Sequence, residues 1–175
     1  MKKILVFSGS NSSRSINQKL AEFAGSLING HSVKIIDLKK FKIPLYSEDV
    51  EREGFPSGVK NLHEEISGQD GLLISVPEHN GNLPAFFKNT LDWLSRFDRP
   101  FLSGIKILLM STSPGGRGGR SSLEAAEKIL PYFKGEIAGT FSLSYFTKNF
   151  SEGRIIESEK KEELDKLIKV FLNNL

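Results

Sequence analysis

Short apolar runs alternate with amphipathic stretches along the whole chain. Between the runs, apolar side chains recur three or four positions apart, which is the spacing of one helix face. The apolar runs predict strands at Lys2–Ser8, Ser32–Leu38, Gly71–Val76, Ile105–Met110 and Ile137–Ser144. The helical spacing predicts helices at Ser15–Ile28, Val59–Ser67, Pro84–Arg96, Ser121–Leu130 and around Leu164–Leu172.

Most of these strands are apolar throughout, as in a parallel sheet covered by helices on both faces. We therefore expect a single doubly wound α/β domain over residues 1–175. Ser121, with Glu124 three residues later, predicts the start of the fourth helix. The connection Lys39–Gly58 is the one long segment between elements, and segments of this length are commonly lids or edge insertions.

The composition excludes several classes of protein. The chain has no cysteine, which excludes disulfides, thiolate nucleophiles and cysteine-ligated metals and favours a reducing cytoplasm. Its net charge of +3 comes from scattered basic residues, whereas nucleic-acid binding needs a clustered stripe. No apolar stretch approaches the ~20 residues that cross a bilayer. We therefore expect no nucleic-acid partner, no membrane insertion and no metal site.

Polar and glycine-rich loops follow the first, third and fourth strands. They are Ser8–Ser15, Pro77–Asn82 and Ser111–Gly119, whereas the connections at the other ends of the strands are short and plain. In a doubly wound sheet, ligands bind beyond the carboxyl ends of the strands, near the point where strand order reverses. The three loops are therefore predicted to form one binding site.

The first loop has the composition of an anion site. It is rich in serine and opens a helix, where hydroxyls and free amides lie in the positive field of the helix dipole. It lacks the lysine of a P-loop and the spaced glycines of a dinucleotide fingerprint. A serine also stands where a phosphatase would need cysteine. We infer that it holds a cofactor phosphate; a plain capping turn, which needs only Ser15, is the alternative.

The second and third loops offer amides with little side-chain bulk. Asn80-Gly81 and Gly115-Gly116 would let the edge of a flat heteroaromatic ring come within hydrogen-bond distance. The glycines at 118 and 119 are equally compatible with a mobile hinge or an ordinary loop. His79 lacks an orienting carboxylate, because its neighbour Glu78 points away along an extended loop, so we do not expect an acid–base catalyst here.

Three motifs in these loops resemble the NAD(P)H-dependent FMN reductase family, which includes small quinone, azo-dye and chromate reductases. The resemblance covers nearly the whole chain, and its second motif is long and specific. It implies a flavodoxin-like fold with strand order 2-1-3-4-5, bound FMN, NAD(P)H as co-substrate, and a homodimer or homotetramer. The motifs are Gly9-Ser10 with Ser15-Ile16-Asn17, Pro77-Glu78-His79-Asn80 with Leu83–Arg96, and Gly115-Gly116-Arg117-Gly118-Gly119.

The resemblance also implies which residues contact FMN. Two positions depart from the family's usual pattern: Ser12 stands where arginine is usual, so Arg14 is expected to supply that charge, and His79 stands where tyrosine is usual. The implied phosphate contacts are Ser10, Ser15 and Asn17, with Ser8, Arg14 and Ile16 as further cofactor contacts of the same loop. The implied ring contacts are Pro77, Glu78, His79, Asn80, Gly81, Ser113, Gly115 and Gly116.

By the same resemblance, the protein would be an FMN-dependent oxidoreductase with a ping-pong mechanism. NAD(P)H would reduce the flavin and leave, and a small acceptor would then take its place: a quinone, free flavin, azo compound or metal oxyanion. Because the flavin carries the hydride chemistry, no catalytic side chain is expected. Two alternatives stay open: a flavodoxin-type electron carrier without NAD(P)H turnover, and a flavin-free nucleotide-binding module.

The predicted helix Pro84–Arg96 carries more large apolar side chains than one buried face holds. Phe86, Phe87 and Trp93 are among them, and aromatic residues are enriched at protein interfaces. We therefore expect a homodimer whose interface includes Trp93.

Overall fold

The computed structural model describes residues 1–175 and contains a five-stranded parallel sheet in the order β2-β1-β3-β4-β5. The α/β class and the flavodoxin-like strand order are thereby confirmed. The second strand ends earlier than predicted, because the Asp37 side chain accepts the Lys39 amide and starts a 3-10 turn over Leu38–Lys40. The strands are β1 (Lys3–Ser8), β2 (Ser32–Ile35), β3 (Gly71–Ser75), β4 (Lys106–Thr112) and β5 (Glu136–Leu143).

Helices cover both faces of the sheet. One face packs against the first and last long helices, and the other against the four helices between β2 and β5. No helix is both long enough and apolar enough to cross a membrane. The helices are α1 (Ile16–Ser26), α2 (Glu48–Arg52), α3 (Ser57–Ile66), α4 (Ala85–Phe97), α5 (Arg120–Ile129), α6 (Phe146–Asn149) and α7 (Ser158–Asn173). A small antiparallel hairpin, β6 (Phe150–Ser151) and β7 (Arg154–Ile155), lies between α6 and α7.

The register of the sheet brings three strand ends together. Ser8 at the end of β1 pairs with Ser75 of β3, and Ser75 pairs with Met110 of β4. The strands are parallel, so the loops that follow β1, β3 and β4 leave the same edge of the sheet at neighbouring positions. The three polar loops of the sequence therefore lie side by side.

The two serine-based helix starts have different outcomes. Ser15 caps α1, and its side chain accepts the Gln18 amide, as predicted. The predicted start of α5 at Ser121 is wrong, because the helix begins at Arg120 after Gly119. Gly119 has a left-handed backbone with φ 77° and has no side chain to cap the helix.

The long connection Lys39–Gly58 packs against α4. Trp93 is completely buried; its indole N–H donates to the Pro44 carbonyl at 2.9 Å, and its ring meets Tyr46 edge to face at 5.2 Å between centroids. The prediction of a dimer interface through Trp93 is therefore wrong. The connection, rather than a second protomer, covers the extra aromatic face of the helix.

A charged cluster attaches the same connection to α4. The Glu51 carboxylate accepts from the Tyr46 hydroxyl at 2.8 Å and from Nε of Arg96 at 3.0 Å. The Arg96 guanidinium and the Tyr46 hydroxyl hold the pKa of Glu51 below its usual 4.5. The same hydrogen bond to Glu51 raises the pKa of Tyr46.

Acid is expected to loosen this attachment. Folding lowers the pKa of Glu51, so its contribution to stability is complete above 4.5 and is lost as the pH falls through the lower, folded value. Emission of Trp93, the single tryptophan, reports on the packing beside the cluster. We expect a change in emission below pH 4.5 that Glu51→Gln reduces. Identical acid profiles for the two proteins would contradict this.

Candidate functional site

The three loops line a solvent-open cleft at the carboxyl edge of the sheet, with a volume of about 230 Å³. Most of the predicted cofactor contacts line it. Five of them do not: Ser8, Asn80, Gly81, Gly115 and Gly116 are absent from its wall. The lining residues are Ser10, Ser12, Arg14, Ser15, Ile16, Asn17, Pro77, Glu78, His79, Thr112, Ser113 and Pro114.

The side chain of Asn17 is committed to the protein rather than open to the cleft. Its Oδ1 accepts from the Ser75 hydroxyl at 2.8 Å and from the Thr112 amide at 3.0 Å, while its Nδ2 donates to the Thr112 carbonyl at 3.0 Å. The residue is 2% exposed. Asn17 therefore joins α1 to the ends of β3 and β4, and its backbone amide, which has no acceptor within the backbone, is left unpaired.

Three serine hydroxyls of the first loop act as acceptors within the loop. Ser10 Oγ accepts the Ser12 amide, Ser12 Oγ accepts the Arg14 amide, and Ser15 Oγ accepts the Gln18 amide, at 3.1–3.2 Å. A hydroxyl that already accepts keeps its own O–H free to donate. The loop thus holds its shape through its serines and still presents their hydrogens to an anion.

The amides that open α1 complete the first loop. The amides of Ile16 and Asn17 have no backbone acceptor, as is usual in the first turn of a helix. Arg14 is exposed and lines the cleft, and its guanidinium makes no hydrogen bond or ion pair within the protein. Ser8 is 2% exposed, and its hydroxyl is a buried polar atom without a partner at the base of this loop.

The second loop contains a tight turn. Asn80 and Gly81 both have positive φ, 51° and 74°, and the amide and carbonyl of His79 pair with those of Asn82. Two positive φ values are typical of a type I′ turn, for which Asn-Gly is the preferred pair. These two residues are therefore explained by the turn and lie outside the cleft wall.

Glu78 connects the second loop to the helix that follows the third. Its Oε2 accepts the Ser121 amide of α5 at 2.9 Å. In the same region, the Ser122 hydroxyl lies 3.4 Å from the Val76 carbonyl. The Glu78 carboxylate is thus directed to α5 rather than to His79, whose exposed ring has no hydrogen-bond partner.

Serine hydroxyls fix the carbonyl groups of the third loop. Ser144 donates to the Gly116 carbonyl at 2.7 Å, Ser111 and Ser142 donate to that of Gly118, and Ser122 donates to that of Gly119. In a planar trans peptide, the amide of the next residue points the opposite way. The amides of Arg117 and Gly119 therefore point away from the serines that hold the preceding carbonyls.

Different structural constraints explain why Gly116, Gly118 and Gly119 of the third loop are glycines. Gly118 and Gly119 have φ of 60° and 77°, which side chains rarely adopt, and neither has room for a Cβ without displacing neighbouring atoms. Their close surroundings and the hydrogen bonds to their carbonyls hold both glycines in place, which argues against a mobile hinge. At Gly116, a Cβ would lie 2.6 Å from the Tyr145 hydroxyl.

Tyr145 is a neighbour of the site that the sequence analysis missed. It is 47% exposed, its amide donates to the Gly115 carbonyl at 3.0 Å, and Lys148 Nζ lies 5.2 Å from its ring centroid. Tyr145 follows β5 at the same edge of the sheet, and this position is the one feature of the sequence that could have predicted its place near the site. Its contact with Gly116 makes the loop after β5 part of the rim.

Comparison with known proteins identifies the family of the chain. A family model described as NADPH-dependent FMN reductase matches residues 2–148. The chain belongs to the NADPH-dependent FMN reductase family. It is therefore an oxidoreductase, and membership in this family implies the use of flavin and NAD(P)H.

Curated relatives of this family member carry reductase names. An NAD(P)H-dependent FMN reductase of Pseudomonas aeruginosa is 31% identical over 167 residues, which cover 91% of this chain and 88% of the relative. A quinone reductase of Pseudomonas putida is 34% identical over 131 residues, covering 74% and 69%. A quinone reductase of Escherichia coli is 45% identical over 91 residues, which are 51% of this chain and 48% of that protein.

Solved flavoenzyme structures share the fold. The NAD(P)H:(acceptor) oxidoreductase of Paracoccus denitrificans superimposes with a TM-score of 0.80 at 23% identity and covers 99% of this chain and 96% of its own. The apo form of an NADH:FMN oxidoreductase gives a TM-score of 0.72 at 20% identity, covering 100% and 90%. At these identities the likeness concerns the fold alone.

Proposed function

We propose that this reductase binds FMN in the cleft and passes electrons from NAD(P)H to a small acceptor by a ping-pong mechanism. The observation that carries the proposal is the donor set of the first loop. Three serine O–H groups, two free helix amides and one unpaired guanidinium meet at one end of the cleft. A phosphate dianion is the group that such a set of donors suits best.

The residues present fit an FMN phosphate without a lysine. Ser10, Ser12 and Ser15 would donate through their hydroxyls, and Ile16 and Asn17 through their amides. The Asn17 side chain is 2% exposed and already makes three internal hydrogen bonds, so we assign the phosphate contact to its backbone amide. The family's usual arginine is replaced by Ser12, whose hydroxyl faces the cleft together with Arg14.

The second and third loops would hold the isoalloxazine ring. Pro77 to His79 of the second loop and Thr112 to Pro114 of the third loop line the cleft, and we call these two segments its walls. When bound, FMN supplies hydride acceptance from NAD(P)H and electron donation to the second substrate. The task of the chain is to orient the ring, to leave one face accessible, and to place fixed amide donors where negative charge develops.

A spectrum of the purified protein followed by an anaerobic NADPH titration tests the proposal. We expect a yellow protein with flavin bands that NADPH alone bleaches, and whose colour a quinone then restores. Bound flavin that NADPH does not bleach would favour the electron carrier. A colourless protein that takes up no added FMN would favour the flavin-free nucleotide-binding module.

His79 is not expected to act as an acid or base. The ring is exposed and unpaired, and hydride transfer through a flavin requires no side-chain proton donor. Replacing it by tyrosine should leave NADPH oxidation within about tenfold of wild type, whereas a general acid–base residue contributes ~10²–10⁴-fold. Steady-state kinetics with FMN bound is the measurement. A loss of about 100-fold or more would show that the imidazole is chemically required.

Three finer points are part of the proposal. The acceptor is a quinone, free flavin, azo compound or metal oxyanion, and the reductant is NAD(P)H. The protein assembles as a homodimer or homotetramer, through surfaces other than the buried Trp93, and sedimentation as a monomer at micromolar concentration would contradict this. Its cytoplasmic location stays a prediction from the cysteine-free sequence.

A further inference from the structure

The N-terminus of α5 has no cap of its own. Its cap position is Gly119, which has no side chain to accept the first amides of the helix. The acceptor is supplied instead by Glu78, 43 residues earlier in the chain, whose carboxylate receives the Ser121 amide at 2.9 Å. A carboxylate at this position is also favoured by the helix dipole.

The two partners of this bond belong to the second loop and to the helix that follows the third loop, and both loops line the cleft. Glu78 stands between Pro77 and His79, which line one wall, and α5 follows directly on the third loop, whose first residues line the other. The 3.4 Å contact from Ser122 to the Val76 carbonyl joins the same two segments one residue further along α5. The Glu78 carboxylate is therefore the one charged link between the two segments, beside the longer contact from Ser122.

We propose that Glu78 is a positioning residue that fixes the width of the ring-binding part of the cleft by linking the second loop to α5. The inference rests on the proposed function in that the ring belongs to FMN. Without the carboxylate, the second loop and α5 would adopt several relative positions, and the arrangement in this structure would be only one of them. The affinity for FMN then falls in proportion to the population of that arrangement.

Glu78→Ala is expected to weaken FMN binding about 2- to 30-fold, which is the loss of one helix cap of about 0.5–2 kcal/mol converted to affinity. Glu78→Gln keeps an oxygen acceptor of the same length and should restore affinity to within about threefold of wild type. Fluorescence titration of the apoprotein with FMN measures both values.

Glu157→Ala is the matched control. Glu157 is also a glutamate that caps a helix, and its carboxylate accepts the Glu159 and Lys160 amides at the start of α7, but it does not line the cleft. This variant should lower the melting temperature as Glu78→Ala does and leave FMN affinity unchanged. Equal FMN affinities for Glu78→Ala and wild type, or equal losses in Glu78→Ala and Glu157→Ala, would overturn the proposal.

Hydrogen exchange of the ligand-free protein tests the link without the cofactor. In Glu78→Ala, peptides that span residues 77–83 and 115–122 should both exchange faster than in wild type, and Glu78→Gln should reverse both changes. Faster exchange confined to the start of α5 would show that the two walls are independent and would overturn the proposal. If the wild type bound no FMN, the proposed function would fail, while the exchange result would still decide whether Glu78 links the walls.

Discussion

Replacing Arg14 with alanine is expected to weaken FMN binding about 10- to 150-fold and to leave riboflavin binding nearly unchanged. Hydrogen bonds to charged groups contribute roughly 1.5–3 kcal/mol, and about 1.4 kcal/mol corresponds to a factor of ten. A guanidinium also gives paired hydrogen bonds to phosphate oxygens. Arg14 lines the cleft beside Ser10, Ser12 and Ser15 and makes no side-chain bond within the protein. Riboflavin has no phosphate, so it reports on damage to the rest of the loop.

Arg99→Ala is the matched control for this measurement. Arg99 is an exposed arginine that follows α4, and it does not line the cleft. Its removal lowers the net charge equally and should leave both affinities unchanged. If Arg14→Ala binds FMN as tightly as wild type, the phosphate is held by serine hydroxyls and helix amides alone.

Replacing Asn17 with alanine is expected to lower the free energy of unfolding by about 3–5 kcal/mol. The substitution removes three buried hydrogen bonds and leaves the Ser75 hydroxyl and both backbone groups of Thr112 unpaired. Each buried polar group left unpaired costs about 1–3 kcal/mol. For a domain of this size, the melting temperature should fall by roughly 2–4 °C per kcal/mol. Urea unfolding followed by circular dichroism measures the change.

Asn29→Ala serves as the control for Asn17. Asn29 is exposed, and its amide makes one long local contact, 3.4 Å to the Leu27 carbonyl. A surface substitution of this kind should change stability by no more than about 0.5 kcal/mol. A similarly small effect at Asn17 would mean that water or neighbouring groups satisfy the exposed partners, and that the bonds described here do not hold the strand ends together.

Much of the fold follows from local pattern. Apolar runs such as Gly71–Val76 can be buried only in a sheet covered on both faces, and the five predicted strands all occur. The packing of the segment from residue 39 to 58, by contrast, could not be predicted from its sequence. Its apolar residues pack against Trp93 of α4, and no periodicity within the segment reveals a partner so distant in sequence.

The three predicted loops do line one cleft, but several individual roles of their residues were not predictable. Ser121 has the sequence of a helix cap, yet the cap comes from Glu78, because Gly119 is needed for its left-handed backbone. Asn17 has the residue type of a phosphate ligand, yet its amide is used within the fold. Sequence spacing identifies residue types near an edge, whereas the choice between internal and ligand hydrogen bonds depends on contacts between distant segments.

The hydrogen bonds of Asn17 also determine when, during translation, α1 can be joined to the sheet. Ser75 lies 58 residues from Asn17 in the chain, and Thr112 lies 95 residues away. Contacts of such long range form only after the intervening chain has been synthesised and its loops have closed. The bonds that join α1 to the ends of β3 and β4 therefore form only once the ribosome has translated beyond Thr112. A chain that ends before Thr112 therefore lacks the connection that holds the start of α1 against the ends of β3 and β4.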